Sequence, residues 1–245
     1  MRFHYGPYRA DVAPDPSLPF SILKCRHLDD GVTPPGTYRL SVAPGPAPAT
    51  TTRFRIAVAG WTADLAGDAG TAYLHPAAPP DYGYFNELFA AVGIGRTLLD
   101  GGFVLHSSAI SAKPGAFIFS GLSGTGKSTI ARHLGAGQRI SDDQTIVLPR
   151  ADGWWCRNAF MMEHEGAPPA RLFLIKQAAS TALHALPPQR ALPLVLRHLV
   201  LWHGDTSVHA RVLNNLAGFL ADIPCFRLAV GLGDITLEQL FAEGR

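Results

Sequence analysis

Two glycines, a lysine and a hydroxyl residue stand in Gly121-Leu122-Ser123-Gly124-Thr125-Gly126-Lys127-Ser128-Thr129 at the spacing GxxxxGK[ST]. Glycine permits positive φ and leaves no side chain in the way, so successive backbone N–H groups can converge on phosphate oxygens. A helix starting at Lys127 would point its positive end at the same anion. Lys127 would reach the β- and γ-phosphates, and the Ser128 hydroxyl would ligate Mg²⁺. An apolar run at 116–120 precedes the loop and an amphipathic stretch at 127–134 follows it. That strand–loop–helix context separates a phosphate-binding loop from a glycine-rich turn of the same spelling.

Asp142 and Asp143 come 15 residues after Lys127, at the end of the next short strand expected at 138–141. Ligands of open α/β sheets sit beyond the carboxyl ends of strands, which would turn this pair toward the γ-phosphate. Neighbouring side chains on extended backbone point in different directions, so two carboxylates suit two tasks. One would take the proton of an attacking hydroxyl and the other would hold Mg²⁺. A polar turn or helix cap uses the same residue types; the adjoining phosphate loop favours the chemical reading.

His106, the loop from Gly121 to Ser128, and Ser141-Asp142-Asp143 come in an order and spacing that resembles the C-terminal domain of HPr kinase/phosphorylase and its shorter bacterial relatives. The likeness runs over about 103–146 and more loosely over 170–177 and 223–229. It implies an ATP- and Mg²⁺-dependent kinase that phosphorylates serine on a protein or precursor peptide. It further implies Asp142 as base toward that serine, and His106 on the strand before the loop, close to the reacting groups. A metal-holding glutamate is implied within 154–166, where Glu163 and Glu165 both stand as candidates beside Ser128 and Asp143. Thr129 departs from the glutamate that the family has after its loop serine. No clear counterpart of the family's later arginine exists; Arg197 and Arg211 are the options. Gly121 to Lys127 is also similar to the loop of ATP-dependent phosphoenolpyruvate carboxykinases, which are about twice as long and carry machinery for which this chain has no room.

Other residues carry plainer readings. Trp154-Trp155 suits strand packing better than base stacking. His198, Trp202 and His203 suit a partly exposed helix face, since a metal needs more ligands than that. Cys25, Cys156 and Cys225 are far apart and form no CxxC pair, which argues against zinc and for buried apolar roles.

Several elements must position these groups. The expected fold is α/β, with a P-loop nucleotide-binding core over 101–245 whose mixed central sheet is flanked by helices. A β-rich region of short strands and Pro/Gly/Ala turns precedes it over 1–100, with a helix at 84–99. In the core, strands are expected at 103–110, 116–120, 138–141, 145–148, 154–157, 170–177 and 225–230. Helices are expected at 127–134, 189–202, 208–221 and 237–243.

The 245 residues are 47% hydrophobic and 16% charged, enough for a buried core. A formal charge of +2 gives no reason to expect nucleic acid or an acidic membrane surface as partner. No apolar run reaches the roughly 20 residues of a bilayer span, so a cytoplasmic protein is expected; assembly into a homo-oligomer is compatible with the sequence. Against the kinase stand two alternatives: an ATPase that couples hydrolysis to motion, and a nucleotide-sensing or scaffold module without turnover.

Overall fold

The computed structural model describes residues 2–5, 8–14, 36–42, 53–58, 61–66, 69–74, 94, 97–98, 100–135, 138–159, 166–200, 206–231, 236–237 and 240. The chain divides into two compact units, Met1–Asp100 and Gly101–Arg245. In the first unit six strands form one antiparallel sheet: β1 Arg2–Tyr5, β2 Tyr8–Pro14, β3 Gly36–Val42, β4 Arg53–Val58, β5 Trp61–Ala66 and β6 Ala69–Leu74. Their order is β1-β2-β3-β6-β5-β4. The helix expected at 84–99 lies mostly outside the described residues; Ile94, Thr97 and Leu98 within it are helical.

The second unit is a mixed sheet of nine strands flanked by helices, an α/β arrangement. Its spine runs β11 (Gly153–Asn158), β10 (Gln144–Arg150), β7 (Phe103–Ser111), β8 (Ala116–Ser120), β12 (Pro169–Gln177), β15 (Cys225–Val230) and β13 (Ala182–Leu186). β8, β12 and β15 are parallel, and the remaining pairs along the spine are antiparallel. Central strands buried on both faces read as continuous apolar runs, as Ala116–Ser120 does.

Helix α1 (Lys127–Leu134) covers one face. There Ile130 and Ala131 pack with Ile110, Phe117, Phe119, Phe173 and Phe226. Phe173 stacks on Phe119 and Phe226 with ring centroids 5.3 and 5.8 Å apart, arrangements that add to the area the rings bury. Helices α2 (Pro188–Val195) and α3 (Thr206–Asp222) follow. Phe219 of α3 meets Phe103 and Trp154 edge-on. The Trp154 indole N–H donates to Asp222 Oδ2 at 2.9 Å, so this tryptophan is a packing residue with its polar edge satisfied.

Two departures from the sequence expectation have physical causes. The helix expected over 189–202 ends at Val195, passes through a 3₁₀ turn Leu196–His198, and becomes β14, Leu199–Val200. Pro193 removes a backbone donor inside the helix, and β14 gains ladder bonds to Leu105 and Val104 of β7. β13 is a strand that the sequence reading omits; it is a short edge strand, half exposed, paired only to β15. Of the helix expected at 237–243, Leu237 and Leu240 are helical and the rest lies outside the described residues.

Asp142 and Asp143 directly follow a short strand, as the sequence reading expects. β9 (Arg139–Ser141) and β10 both run antiparallel along β7. The pairs Ala109–Ser141 and His106–Gln144 are three residues apart on both strands, so one register carries through. Asp142 and Asp143 therefore lie across from Ser108 and Ser107, inside a paired run. A buried hydroxyl cluster holds that run: Ser107 Oγ donates to Thr145 Oγ1 at 2.7 Å, and Thr145 Oγ1 lies 2.6 Å from Ser141 Oγ.

Buried Cys156 and Cys225 are free thiols pushed up by burial, Cys225 to about 12; Cys25 lies outside the described residues. Among the described residues no helix is long and apolar enough to cross a membrane.

Candidate functional site

The loop between β8 and α1 closes on itself. Gly124 and Gly126 have φ of +78° and +93°, where a side chain would strain the backbone. At Gly121 a Cβ would come within 2.8 Å of Thr125 Oγ1, so the close approach itself requires glycine. The Leu122 carbonyl accepts from the Thr125 hydroxyl at 2.7 Å, the Thr125 N–H at 3.3 Å and Lys127 Nζ at 3.0 Å. Gln177 of β12 donates its amide to the Gly124 carbonyl at 3.1 Å. Leu122, Ser123, Gly124 and Thr129 are exposed. Gly126 caps α1 in the left-handed conformation, and no side chain takes up the first helical N–H groups.

Lys127 is 6% exposed. Its ammonium donates to the Gly121 carbonyl at 2.9 Å, to Leu122 and to His106 Nε2 at 3.1 Å. Three protons meet three acceptors. Burial lowers the Lys127 pKa, and the nearby Asp143 carboxylate opposes that shift. A ring that accepts at Nε2 carries its proton on Nδ1, and His106 Nδ1 lies 3.1 Å from Asp143 Oδ1. Lys127, His106 and Asp143 thus form one chain of polar contacts.

Asp142 has a separate set of partners. Its Oδ2 pairs with Arg139 at 2.7 Å, while its Oδ1 is buried and has no hydrogen-bond partner. Its backbone carbonyl accepts from Ser108 Oγ at 2.6 Å and from Ser128 Oγ at 3.1 Å. The strand run along β7 and the first turn of α1 are tied together at this carbonyl. The structure therefore gathers His106, Lys127, Ser128, Asp142 and Asp143 around the loop. Glu163 and Glu165 lie outside the described residues.

No protein-family model matches the chain, and neither does any curated protein.

Three groups at the site escape a reading of local pattern. Ser108 and Arg139 touch Asp142 from positions with no motif of their own. His198, expected on a partly exposed helix face, is half-buried and lies in the 3₁₀ turn beside a cavity of about 530 Å³. Leu122, Thr125, the end of β12 from Leu174 to Gln177, and Arg197 also line that cavity. Burial lowers the His198 pKa most, and the nearby Lys127, His106 and Arg197 side chains lower it further. The alternation in Leu172-Phe173-Leu174-Ile175-Lys176-Gln177, apolar then polar at the carboxyl end, was the available signal that this strand end leaves the core.

Proposed function

We propose that the chain is an ATP- and Mg²⁺-dependent kinase that transfers the γ-phosphate to a hydroxyl, most simply a serine of a protein or peptide. The observation that carries the reading is Asp142 Oδ1, a buried carboxylate oxygen without a partner, on a residue whose carbonyl is tied to the loop serine. Native proteins seldom leave such an oxygen unsatisfied, and a substrate proton or a metal would satisfy it. The resemblance to HPr kinase-like proteins points the same way.

In this reading the loop N–H groups and the end of α1 hold the phosphates. Lys127 leaves the Gly121 and Leu122 carbonyls and turns onto the β- and γ-phosphate oxygens. The acceptor oxygen forms a bond to the γ-phosphorus, the bond to the β–γ bridging oxygen breaks, and ADP leaves. The acceptor proton passes to Asp142. Positioning and charge stabilisation supply most of the rate, as is usual for phosphoryl transfer.

The residues present suit Mg²⁺. This ion keeps several waters and needs only one or two protein oxygens beside the phosphates, and among the described residues no closed cluster of three ligands competes with that arrangement. Ser128 Oγ and a carboxylate of the Asp142–Asp143 pair would hold it, and bound there it neutralises charge on the transferring phosphate.

The test is a phosphotransfer assay with γ-labelled ATP, Mg²⁺ and cell extract as acceptor, with Lys127→Ala and Asp142→Asn beside the native protein. A labelled band made only by the native protein is expected. Free phosphate without a band would favour an ATPase, and nucleotide binding without turnover would favour a sensor.

A further inference from the structure

The cavity beside the loop has a marked chemical bias. Lys176 comes from the end of β12, Arg197 and His198 from the 3₁₀ turn, and Arg227 from β15. No acidic residue is among the described residues that line it, and its one aromatic ring is the His198 imidazole. Leu122, Leu174, Ile175 and Leu194 supply an apolar wall. Leu122, 65% exposed on the loop, stands at its edge.

Like charges gathered without a counter-charge repel one another, and an anion in their midst relieves that cost. The volume of about 530 Å³ accommodates more than a single ion and falls within the range of ligand clefts, roughly 300–1,000 Å³. Arginine offers a fork of donors that matches a carboxylate on two oxygens. The apolar wall suits a neighbouring hydrocarbon side chain on the same ligand.

We infer that this cavity is an acceptor subsite that binds an acidic side chain of the peptide lying close to the serine to be phosphorylated. The inference rests on the kinase reading for the identity of the ligand, but not for the binding itself. Leu122 and Thr125 are shared between the loop and the cavity, so a carboxylate held by Lys176 and Arg227 lies next to the phosphate site. A peptide seated this way brings a nearby hydroxyl toward the γ-phosphate. Placing an acceptor rather than merely attracting it is what raises the transfer rate. The His198 imidazole, kept neutral by burial and by surrounding cations, gains a favourable partner when the carboxylate arrives.

The experiment measures binding without nucleotide, using the full chain and two fluorescein-labelled heptapeptides. One has a serine between glutamates and leucine; the other replaces every glutamate by glutamine. The glutamate peptide is expected to bind at least about tenfold more tightly, the value of one charge-assisted contact. In the Lys176→Gln/Arg227→Gln double variant the two peptides should bind alike, with ATP affinity unchanged. Arg132→Gln, an exposed cation in the last turn of α1, should keep the preference. Lys176→Gln at an exposed strand end provides a milder variant should the double variant fold poorly, and it should reduce the preference at least threefold. Equal binding of both peptides to the native protein would overturn the inference. So would a preference that survives both pocket variants, a fall in ATP affinity alongside it, or displacement of the peptide by equimolar free malate. If the preference holds and no phosphate is transferred, the subsite stands and the kinase reading fails.

Discussion

Lys127 Nζ lies 3.1 Å from His106 Nε2, and the far nitrogen of the same ring lies 3.1 Å from Asp143 Oδ1. The lysine that should meet the phosphate is thus already connected to one of the two acids through a single imidazole. Its other two protons are spent on the loop's own carbonyls. Lys127→Ala removes that cation and its charge-assisted bonds. ATP affinity, measured by calorimetry, should fall by about tenfold to a hundredfold. Unchanged affinity would mean that phosphate does not occupy this loop.

Asp142→Asn preserves shape and removes the negative charge. ATP binding should persist, while single-turnover transfer should fall by about 10² to 10⁴, the usual contribution of a positioned base. Transfer at the native rate would remove Asp142 as the base.

Gly126→Ala separates backbone strain from crowding. A Cβ there meets no atom within 4 Å, yet φ is +93°. The whole penalty is conformational, about 1–2 kcal/mol, and a lower thermal midpoint should accompany a loosened loop. A midpoint equal to that of the native protein would show that the left-handed turn is not needed.

His198 makes stability depend on acid. Its folded pKa is lowered from the ordinary 6.5 by burial and by Lys127, His106 and Arg197. Between that lowered value and 6.5 the unfolded chain binds more protons than the folded one. The His198 contribution is therefore intact above the unfolded value and is lost as pH falls through the folded one. Thermal midpoints taken from about pH 7.5 to about pH 5 should fall less steeply in His198→Gln than in the native protein. Identical slopes would contradict the assignment.

The loop was legible in the sequence because its determinants are contiguous: Gly121, Gly124, Gly126 and Lys127 each act within one turn of chain. Strand β8 was legible because a strand covered on both faces appears as an apolar run, and β7 was legible through its alternation. β13 was not, because five residues of mostly apolar type, Ala182–Leu186, are too few for periodicity to separate strand from helix. Nor was the turn at 196–198, because the gain that ends α2 early comes from β14 meeting Leu105 and Val104, about 95 residues away in sequence. The basic cavity draws its cations from 176, 197, 198 and 227, so no window of local pattern contains it. The pairing of Arg139 with Asp142 escaped for a related reason: it depends on how β9 bends at its bulge near Ile140.

The Ser107–Thr145–Ser141 cluster has a consequence for insertions and deletions. Its three hydroxyls satisfy one another only when Thr145 lies beside Leu105 and Ser141 beside Ala109. A slip of one residue would bring the apolar Ile146 to the place of Thr145 and strand two buried hydroxyls, while handing the position of Asp142 to Asp143. The hydroxyls act as an address label for the acids. A lineage that lengthened or shortened this run by one residue would have to rewrite the label before it could recover the site.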